Sequence, residues 1–423
     1  MPFAAHYLTK HRLYDAFITE PPHPDLKYTV VIPAYDEPRI TETLESLWQA
    51  ERPHHAIEVI VVINAPENAS PEVLESNQRT KEAIATWKAA HDDSMFVVHT
   101  IHVLNLPPAK AGAGLARKIG MDEAVARFNR LDRPGGWIIS LDADTRVAKS
   151  YFQAIEQHVE ATPKLNAGVL YFEHQLEGNE FEPGIYEAIV KYELFLRYYN
   201  QALRWAGYPY AFQTIGSAFC VKAEAYARQG GMNTKRAGED FYFLNKVFQL
   251  GGVKDITETA VYPSPRPSNR VLFGTGPEMI KWAGNNHQPY LTYAPDVFVS
   301  LQKFFSRTDD FYKISEERRK KIPDELDPVM HSFLDSIGFG RELDRINNNC
   351  NSLETFRKHF FHWFNGLRII RFIHIAHEKN YEKVPLNHAA QTLLRWRGDD
   401  PAGGYRSLLD QYREIESNNP RMI

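Results

Sequence analysis

Short, almost uninterrupted apolar segments alternate with helical segments in the first part of the chain, and this alternation constrains the fold more than any other feature. The predicted strands are residues 29–33, 58–63, 96–104 and 137–141, and a helical pattern follows each of them. Strands that are apolar on both faces and separated by helices predict a parallel sheet with helices on both sides. The predicted fold class is therefore α/β, with a Rossmann-like, doubly wound sheet.

The pattern changes after about residue 165, which predicts a second structural region. A strand is predicted at 168–172 and a long aromatic helix at about 184–206, and from about residue 288 the pattern is mostly helical and highly charged. The 423 residues suffice for two or three domains. We therefore expect an α/β catalytic domain over residues 1–290 and a mostly α-helical C-terminal domain over residues 291–423.

Charge and cysteine content narrow the functional classes. Lys and Arg total 49 and Asp and Glu total 53, a net charge of -4, so no nucleic-acid partner is expected. Cys220 and Cys350 are too few for a disulfide framework or a thiolate zinc site, which indicates a reducing compartment. No segment approaches the roughly 18 apolar residues of a membrane-spanning helix. We expect a cytoplasmic protein; peripheral contact with a membrane surface and the oligomeric state are left open.

Two aspartates after the fourth predicted strand are the most specific indication of chemistry. Ligands of such sheets bind beyond the carboxyl ends of the strands, where Asp142 and Asp144 lie in the segment LDADT. Carboxylates, together with diphosphate oxygens and water, are the usual ligands of Mg²⁺ and Mn²⁺ in proteins. The alternative is a polar turn that caps the next helix.

A third carboxylate lies in the segment Gly238-Glu239-Asp240, at the start of a predicted helix. The helix dipole favours negative charge at this end. Asp240 could still act as a general base if a substrate hydroxyl lies within hydrogen-bonding distance. The alternative is a first helical turn whose acidic residues only stabilise the dipole.

Two further segments at this edge of the sheet suit a nucleotide. Pro33, Tyr35 and Glu37 follow the first strand, where the Tyr35 ring could stack on a base; a solvated turn is the alternative. Lys110 lies in the glycine-rich helix opening AKAGAG, whose backbone N–H groups and lysine suit a phosphate. Because no Gly-Lys-Ser/Thr follows, the P-loop spacing of an ATPase is absent.

The proline-rich segment PSPRPSNR carries two arginines, Arg266 and Arg270. Guanidinium groups match the geometry of diphosphate oxygens, and a closing loop would exclude water from a hydrolysable donor. We expect this loop to close over a bound diphosphate. The alternative is a surface turn whose arginines are only solvated.

Five motifs together resemble family 2 glycosyltransferases of the GT-A fold. They are VVIPAYDEP, AKAGAG, LDADT, TIGSAFCVKAEAY and AGEDFYF, in that order, over about residues 28–270. The resemblance implies a nucleotide-sugar donor and a Mn²⁺ or Mg²⁺ cofactor. It implies that Asp144 is a metal ligand, that Asp142 contacts the nucleotide ribose or the metal, and that Asp240 is the general base.

The same resemblance implies that Tyr35, Glu37 and Lys110 line the nucleotide site and that the reaction inverts the anomeric carbon. The chain also departs from the family pattern. Asn64 ends the second strand where family members commonly carry Asp, so it would contact the base or ribose through an uncharged amide. No third protein ligand for a metal is evident, and His287 is a remote candidate.

The sequence is thus interpreted as a metal-dependent, inverting glycosyltransferase that uses a nucleotide-diphosphate sugar, UDP-linked rather than GDP-linked. The acceptor is a carbohydrate or another hydroxyl-bearing molecule. Two alternatives stay open. One is a sugar nucleotidyltransferase, although such enzymes carry a glycine- and arginine-rich loop after the first strand, which YDEPRI does not supply. The other is a catalytically silent protein that binds nucleotides or carbohydrates.

Overall fold

The computed structural model describes residues 2–270, 274–283, 288–319 and 322–423. Contacts within the chain divide it into two compact units. The first unit consists of Met1–Ile189, Thr214–Gly284 and Glu416–Ile423, and the second of Val190–Gln213 and Asn285–Ile415. Both units are discontinuous in sequence, because the chain passes from one to the other four times, after residues 189, 213, 284 and 415. The domain limits expected from the sequence, 1–290 and 291–423, stay a prediction.

The first unit is built on a mixed sheet of eight strands with the order β3-β2-β1-β4-β7-β6-β8-β5. The strands are β1 (Leu26–Ala34), β2 (Ala56–Pro66), β3 (Phe96–Leu106), β4 (Trp137–Ser140), β5 (Arg146–Val147), β6 (Ala167–Phe172), β7 (Phe219–Lys222) and β8 (Val253–Tyr262). Strand β2 is buried along nearly its whole length, as expected for a strand covered on both faces.

The directions of the strands place the carboxyl ends of six of them at one edge. Strands β3, β2, β1 and β4 are parallel, which confirms the predicted α/β pattern. Strand β7 is antiparallel to both β4 and β6, so β6 runs in the same direction as β1. Strand β8 is parallel to β6, and the short β5 is antiparallel to β8. The sheet is therefore mixed rather than wholly parallel.

Helices cover both faces of this sheet. The first unit contains α1 (Ala5–His11), α2 (Ile40–Gln49), α3 (Pro71–Ala90), α4 (Ala113–Arg130), α5 (Tyr151–Ala161), α7 (Ala223–Arg228), α8 (Glu239–Phe248) and α9 (Thr275–Ala283), and α6 (Pro183–Trp205) begins in it. Helix α4 packs closely on the sheet at Gly120, where a Cβ would lie 2.5 Å from Cγ1 of Val31. This close approach fixes the position of α4, whose first turns form part of the site described below.

The second unit is mostly helical, as predicted. After the last turns of α6 it contains α10 (Pro295–Phe305), a 3₁₀ turn (Thr308–Phe311), α11 (Glu316–Arg319), α12 (Ile322–Glu325), α13 (Pro328–Ser336), α14 (Phe339–Asn348), α15 (Leu353–Trp363), α16 (Gly366–Lys379), α17 (Leu386–Arg397) and most of α18 (Tyr405–Asn418). A two-stranded sheet joins β9 (Leu291–Thr292) to β10 (Val384–Pro385). Its core is aromatic, centred on Phe304, Phe360 and Phe364. In the described chain, no helix is long and apolar enough to cross a membrane.

Candidate active site

The turn that carries Asp142 and Asp144 follows β4 and is fixed by neighbouring elements. The N–H of Thr145 donates to the carbonyl oxygen of Asp142 at 3.1 Å. The hydroxyl of Thr43, on α2, donates to the carbonyl oxygen of Ala143 at 2.9 Å. Because both bonds hold the backbone, the two carboxylates leave the sheet in a defined position at the edge where β1, β2 and β3 also end.

Arg117 joins this turn to the start of α8. Its guanidinium group contacts the carboxylates of both Asp142 and Glu239, and its side chain is almost fully buried. Gly216 makes room for it, since a Cβ at Gly216 would lie 2.4 Å from Nη2 of Arg117. The sequence analysis did not identify Arg117. The sequence signal that could have identified Arg117 is its position, one turn after the glycine-rich start of a helix at this edge of the sheet.

Two glycines let the start of α4 approach the segment that leads into α8. A Cβ at Gly114 would lie 2.2 Å from the carbonyl oxygen of Lys235 and 3.0 Å from Cβ of Glu239. Gly112 has φ of 147°, which side-chain-bearing residues rarely adopt. The glycines therefore serve close packing here, and the exposed Lys110 lies in the loop just before them.

Asp240 lies in the first turn of α8, next to Glu239. Its Oδ1 accepts a hydrogen bond from the N–H of Phe241 at 2.7 Å. Burial raises the pKa of Asp240 to about 7, and the negative charge of Glu239 adds to this effect while Arg117 opposes it. A carboxylate with a pKa near neutrality is a stronger proton acceptor than an ordinary one.

Asp144 carries negative charge that its neighbours only partly compensate. Burial raises the pKa of Asp144 to about 7, with further contributions from Asp142 and Glu37, and Arg270 opposes the shift. The site holds five carboxylates (Glu37, Asp142, Asp144, Glu239 and Asp240) and three guanidinium groups (Arg117, Arg266 and Arg270), so the carboxylates are in excess by two. The carboxylate oxygens of Asp142 and Asp144, together with this excess, fit a hard divalent cation.

Arg266 and Arg270 reach the site from the loop after β8 and converge on Glu37. Arg266 contacts Oε2 of Glu37, and Nη1 of Arg270 lies 3.0 Å from the same oxygen. Asp144 is close to both, since its Oδ2 lies 3.5 Å from Nη2 of Arg266 and 3.8 Å from Nη2 of Arg270. The two arginines of the proline-rich loop are therefore brought next to the aspartates that follow β4.

The turn between β1 and α2 is braced from β2 and α3. Asn64 donates its side-chain amide to the carbonyl oxygen of Ala34 at 2.9 Å. Asn77, on α3, accepts from the N–H of Asp36 at 3.0 Å, and Asp36 has φ of 49°. Pro33 lies near the end of β1, and the partly exposed Tyr35 follows it in the turn. Among the described residues, no hydrogen bond or ion pair joins Asn64 or Lys110 to the carboxylates of the site.

A cleft open to solvent adjoins Asp144 and Arg266. Its remaining walls come from α2, β5, the segment after β6 and the end of β8, and they include Glu42, Arg146 and Tyr262. This cleft lies at the carboxyl ends of β6 and β8, beside Asp144. His287 lies outside the described residues, so its part in a metal site stays a prediction.

A family model and several solved structures resemble this chain. The model described as glycosyl transferase family 2 matches residues 29–219. TarS 1-349 from S. aureus is 13% identical, with 80% of this chain and 92% of that chain covered, at a TM-score of 0.41. The structure of its complex with UDP-GlcNAc is 12% identical, with 80% of this chain and 92% of that chain covered, at a TM-score of 0.42.

The mannosyltransferase PcManGT from Pyrobaculum calidifontis, in complex with GDP-Man and Mn2+, is 12% identical. The match covers 98% of this chain and 92% of the mannosyltransferase chain, at a TM-score of 0.37. These likenesses are remote in sequence and in structure, so they carry no argument about the substrate of this chain. A comparison with curated proteins gives no match.

Proposed function

We propose that this chain, whose residues 29–219 match the model of glycosyltransferase family 2, is a glycosyltransferase of the GT-A fold that transfers a sugar from a nucleotide-diphosphate donor to an acceptor hydroxyl. A UDP-sugar is the favoured donor, and the acceptor is a carbohydrate or another hydroxyl-bearing molecule. The proposed reaction depends on Mn²⁺ or Mg²⁺ and inverts the configuration of the anomeric carbon.

One observation carries this proposal: Arg117 holds the turn of Asp142 and Asp144 against the first turn of α8, where Asp240 lies. Residues about a hundred positions apart in sequence are thereby brought to one edge of the sheet. A protein that only bound a nucleotide would need no carboxylate with a raised pKa beside the diphosphate site. The combination supports transfer chemistry over silent binding.

The proposed nucleotide site lies at the ends of β1 and β2. Tyr35 would stack on the base, with Pro33 shaping the turn below it. Asn64 uses its N–H to hold the carbonyl oxygen of Ala34, which leaves its amide oxygen as the acceptor for a base or ribose group. Lys110 is exposed in the loop before α4 and would contribute positive charge to a phosphate.

Asp142 and Asp144 would hold the divalent cation. Neutralising the charge that builds up on the departing diphosphate is the chemistry that such an ion supplies when bound. Arg266 and Arg270 would bind the same diphosphate through their guanidinium groups, because such groups pair well with phosphate oxygens. The acceptor would lie in the open cleft beside Asp144 and Arg266.

The reaction is a single displacement at the anomeric carbon. The acceptor oxygen forms a bond to that carbon, and the bond from the carbon to the diphosphate oxygen breaks. The bonding electron pair leaves with the nucleoside diphosphate, and the acceptor proton passes to the carboxylate of Asp240. Attack from the face opposite the leaving group inverts the configuration, so one base and one stabilised leaving group suffice.

A thermal-shift panel tests the donor and the metal together. UDP-, GDP-, CMP- and dTDP-sugars are added to the protein with Mn²⁺ and again with EDTA. A ligand that binds only the folded state raises the unfolding midpoint. We expect a UDP-sugar to raise it with Mn²⁺ and to have a much smaller effect with EDTA.

The variant Asp144→Asn should lose the part of the shift that depends on Mn²⁺. Asp132→Asn is the matched control: Asp132 is exposed, and its φ of 52° is one that Asn also adopts. It should behave like the unsubstituted protein. A panel in which no nucleotide sugar moves the midpoint with any metal would contradict the proposed function.

A further inference from the structure

The structure assigns Glu37 a role different from direct contact with the nucleotide. We propose that Glu37 is a positioning residue, which holds the guanidinium groups of Arg266 and Arg270 as a preassembled receptor for diphosphate beside Asp144. This inference rests on the proposed function for the identity of the ligand. It concerns a carboxylate that is 1% exposed.

Both oxygens of Glu37 are already occupied. Its Oε1 accepts a hydrogen bond from the N–H of Arg39 at 3.1 Å, at the start of α2. Its Oε2 accepts from Arg266 and Arg270. Since Glu37 is also 1% exposed, the structure favours a supporting role for it over direct contact with a nucleotide ribose or base.

The guanidinium group of Arg270 is held from one side and keeps a nitrogen on the other. Nη1 of Arg270 donates to Oε2 of Glu37 and to the carbonyl oxygens of Tyr35 and Asp36, at 2.9 and 3.1 Å. Its Nε donates to Oγ of Ser268 at 2.9 Å. Nη2 of Arg270 is the remaining nitrogen, and it lies on the side of Asp144.

Arg266 approaches both carboxylates through one nitrogen. Its Nη2 contacts Glu37 and lies 3.5 Å from Oδ2 of Asp144, and its side chain is about one-fifth exposed. A guanidinium group has five N–H donors in a fixed fork, so binding one carboxylate leaves donors for other oxygens. The donors that face Asp144 would therefore be available to a diphosphate that contacts the cation held by Asp144.

Burial makes the arrangement persistent. Glu37 without its arginines would be a buried, uncompensated carboxylate, which costs several kcal/mol. Burial already raises the pKa of Glu37, and Arg270 opposes this. The loop after β8 is therefore fixed to the turn after β1 before any ligand arrives. A receptor that is ordered in advance loses less conformational entropy on binding than two free arginines would.

Calorimetric titration with inorganic pyrophosphate tests the inference. It is performed with Mn²⁺ and with EDTA on the unsubstituted protein, Glu37→Gln, Glu37→Asp and the double variant R266A/R270A. We expect Glu37→Gln to weaken pyrophosphate binding about tenfold, the effect of losing one charge-assisted hydrogen bond. Glu37→Asp keeps the charge and should recover part of the affinity.

The double-variant background separates positioning from a general structural effect. Because Glu37 acts through the arginines, Glu37→Gln should weaken pyrophosphate binding in the unsubstituted protein but not in R266A/R270A, measured with Mn²⁺. Glu325→Gln is the matched control, since Glu325 also binds two arginines, Arg307 and Arg318, but is exposed on α12. It should leave pyrophosphate affinity unchanged.

Three outcomes would overturn the inference. Unchanged affinity in Glu37→Gln would mean that the arginines do not need Glu37. Tighter binding in Glu37→Gln would mean that Glu37 competes with diphosphate. An equal loss in both backgrounds would mean a general structural effect. Failure of the unsubstituted protein to bind pyrophosphate even with Mn²⁺ would instead contradict the proposed function, so the two failures are distinguishable.

Discussion

Asp240 is the residue on which the proposed chemistry depends most directly. Its pKa is raised from 3.8 to about 7, first by burial and then by Glu239. A general base must be ionised to accept a proton, so kcat/KM should rise with pH up to about 7 and then level off. Initial rates between about pH 5 and 9 measure this profile.

The variant Asp240→Asn should lower kcat by about 10²- to 10⁴-fold, the usual contribution of a general base. Nucleotide-sugar binding, followed by thermal shift, should persist, because Asp240 is proposed to contact the acceptor and not the donor. Activity near the original level in Asp240→Asn would assign the base to another group.

The same raised pKa predicts the sign of a stability effect. The folded protein binds a proton at Asp240 more tightly than the unfolded chain does. The stability that this gives is present below about pH 4 and is lost as the pH rises through about 7. The free energy of unfolding of Asp240→Asn, relative to that of the unsubstituted protein at the same pH, should therefore be more favourable at pH 8 than at pH 5. Chemical denaturation of both proteins at both pH values measures this difference.

At the level of elements, the start of α4 is the part of the site with the least room. Gly114→Ala would place a Cβ 2.2 Å from the carbonyl oxygen of Lys235. The segment before α8 would have to shift, and with it the contact between Arg117 and Glu239. We expect a loss of about 1–3 kcal/mol in the free energy of unfolding, the usual cost of forced overpacking, and weaker donor binding.

Gly135→Ala is the control for this substitution. A Cβ at Gly135 would have no heavy atom within 4 Å, and its φ lies outside the range that favours glycine. Chemical denaturation should give an unchanged midpoint for Gly135→Ala and a lower one for Gly114→Ala. Equal midpoints for the two variants would show that the segment around Lys235 yields without cost.

The sequence predicted elements well where a pattern is repeated over many residues. The limits of β1, β2 and β4 agree with the predicted ones to within a few residues, because apolar runs are local signals. The direction of β7 was not predicted. It spans only Phe219–Lys222, and no local pattern records whether a short strand is parallel or antiparallel.

The site was predicted in part for a similar reason. Asp142, Asp144 and Asp240 follow from their positions at strand and helix ends. Arg117 does not, because its role depends on the packing of α4 against the segment before α8. The burial of Glu37 likewise depends on arginines 229 and 233 residues further along the chain, and one sequence does not record such a pairing.

At the scale of the whole molecule, the chain returns to the first unit in its last residues. The N–H of Val253 donates to the carbonyl oxygen of Ile423 at 3.1 Å, and the N–H of Ile423 donates back at 3.0 Å. The N–H of Asp255 donates to the carbonyl oxygen of Arg421 at 2.8 Å, and the N–H of Arg421 donates to Oδ2 of Asp255 at 3.0 Å. The start of β8 is thus paired by a segment distant in sequence.

Deleting residues 419–423 should therefore destabilise the protein although no residue of the proposed site is removed. At least four hydrogen bonds would be lost, each worth about 0.5–1.5 kcal/mol net, and these four alone predict a loss of about 2–6 kcal/mol in the free energy of unfolding. Met422→Ala is the control, because Met422 is 53% exposed and its backbone pairing is kept. Chemical denaturation of the three proteins measures the effect, and an unchanged midpoint after deletion would show that β8 is stable without this segment.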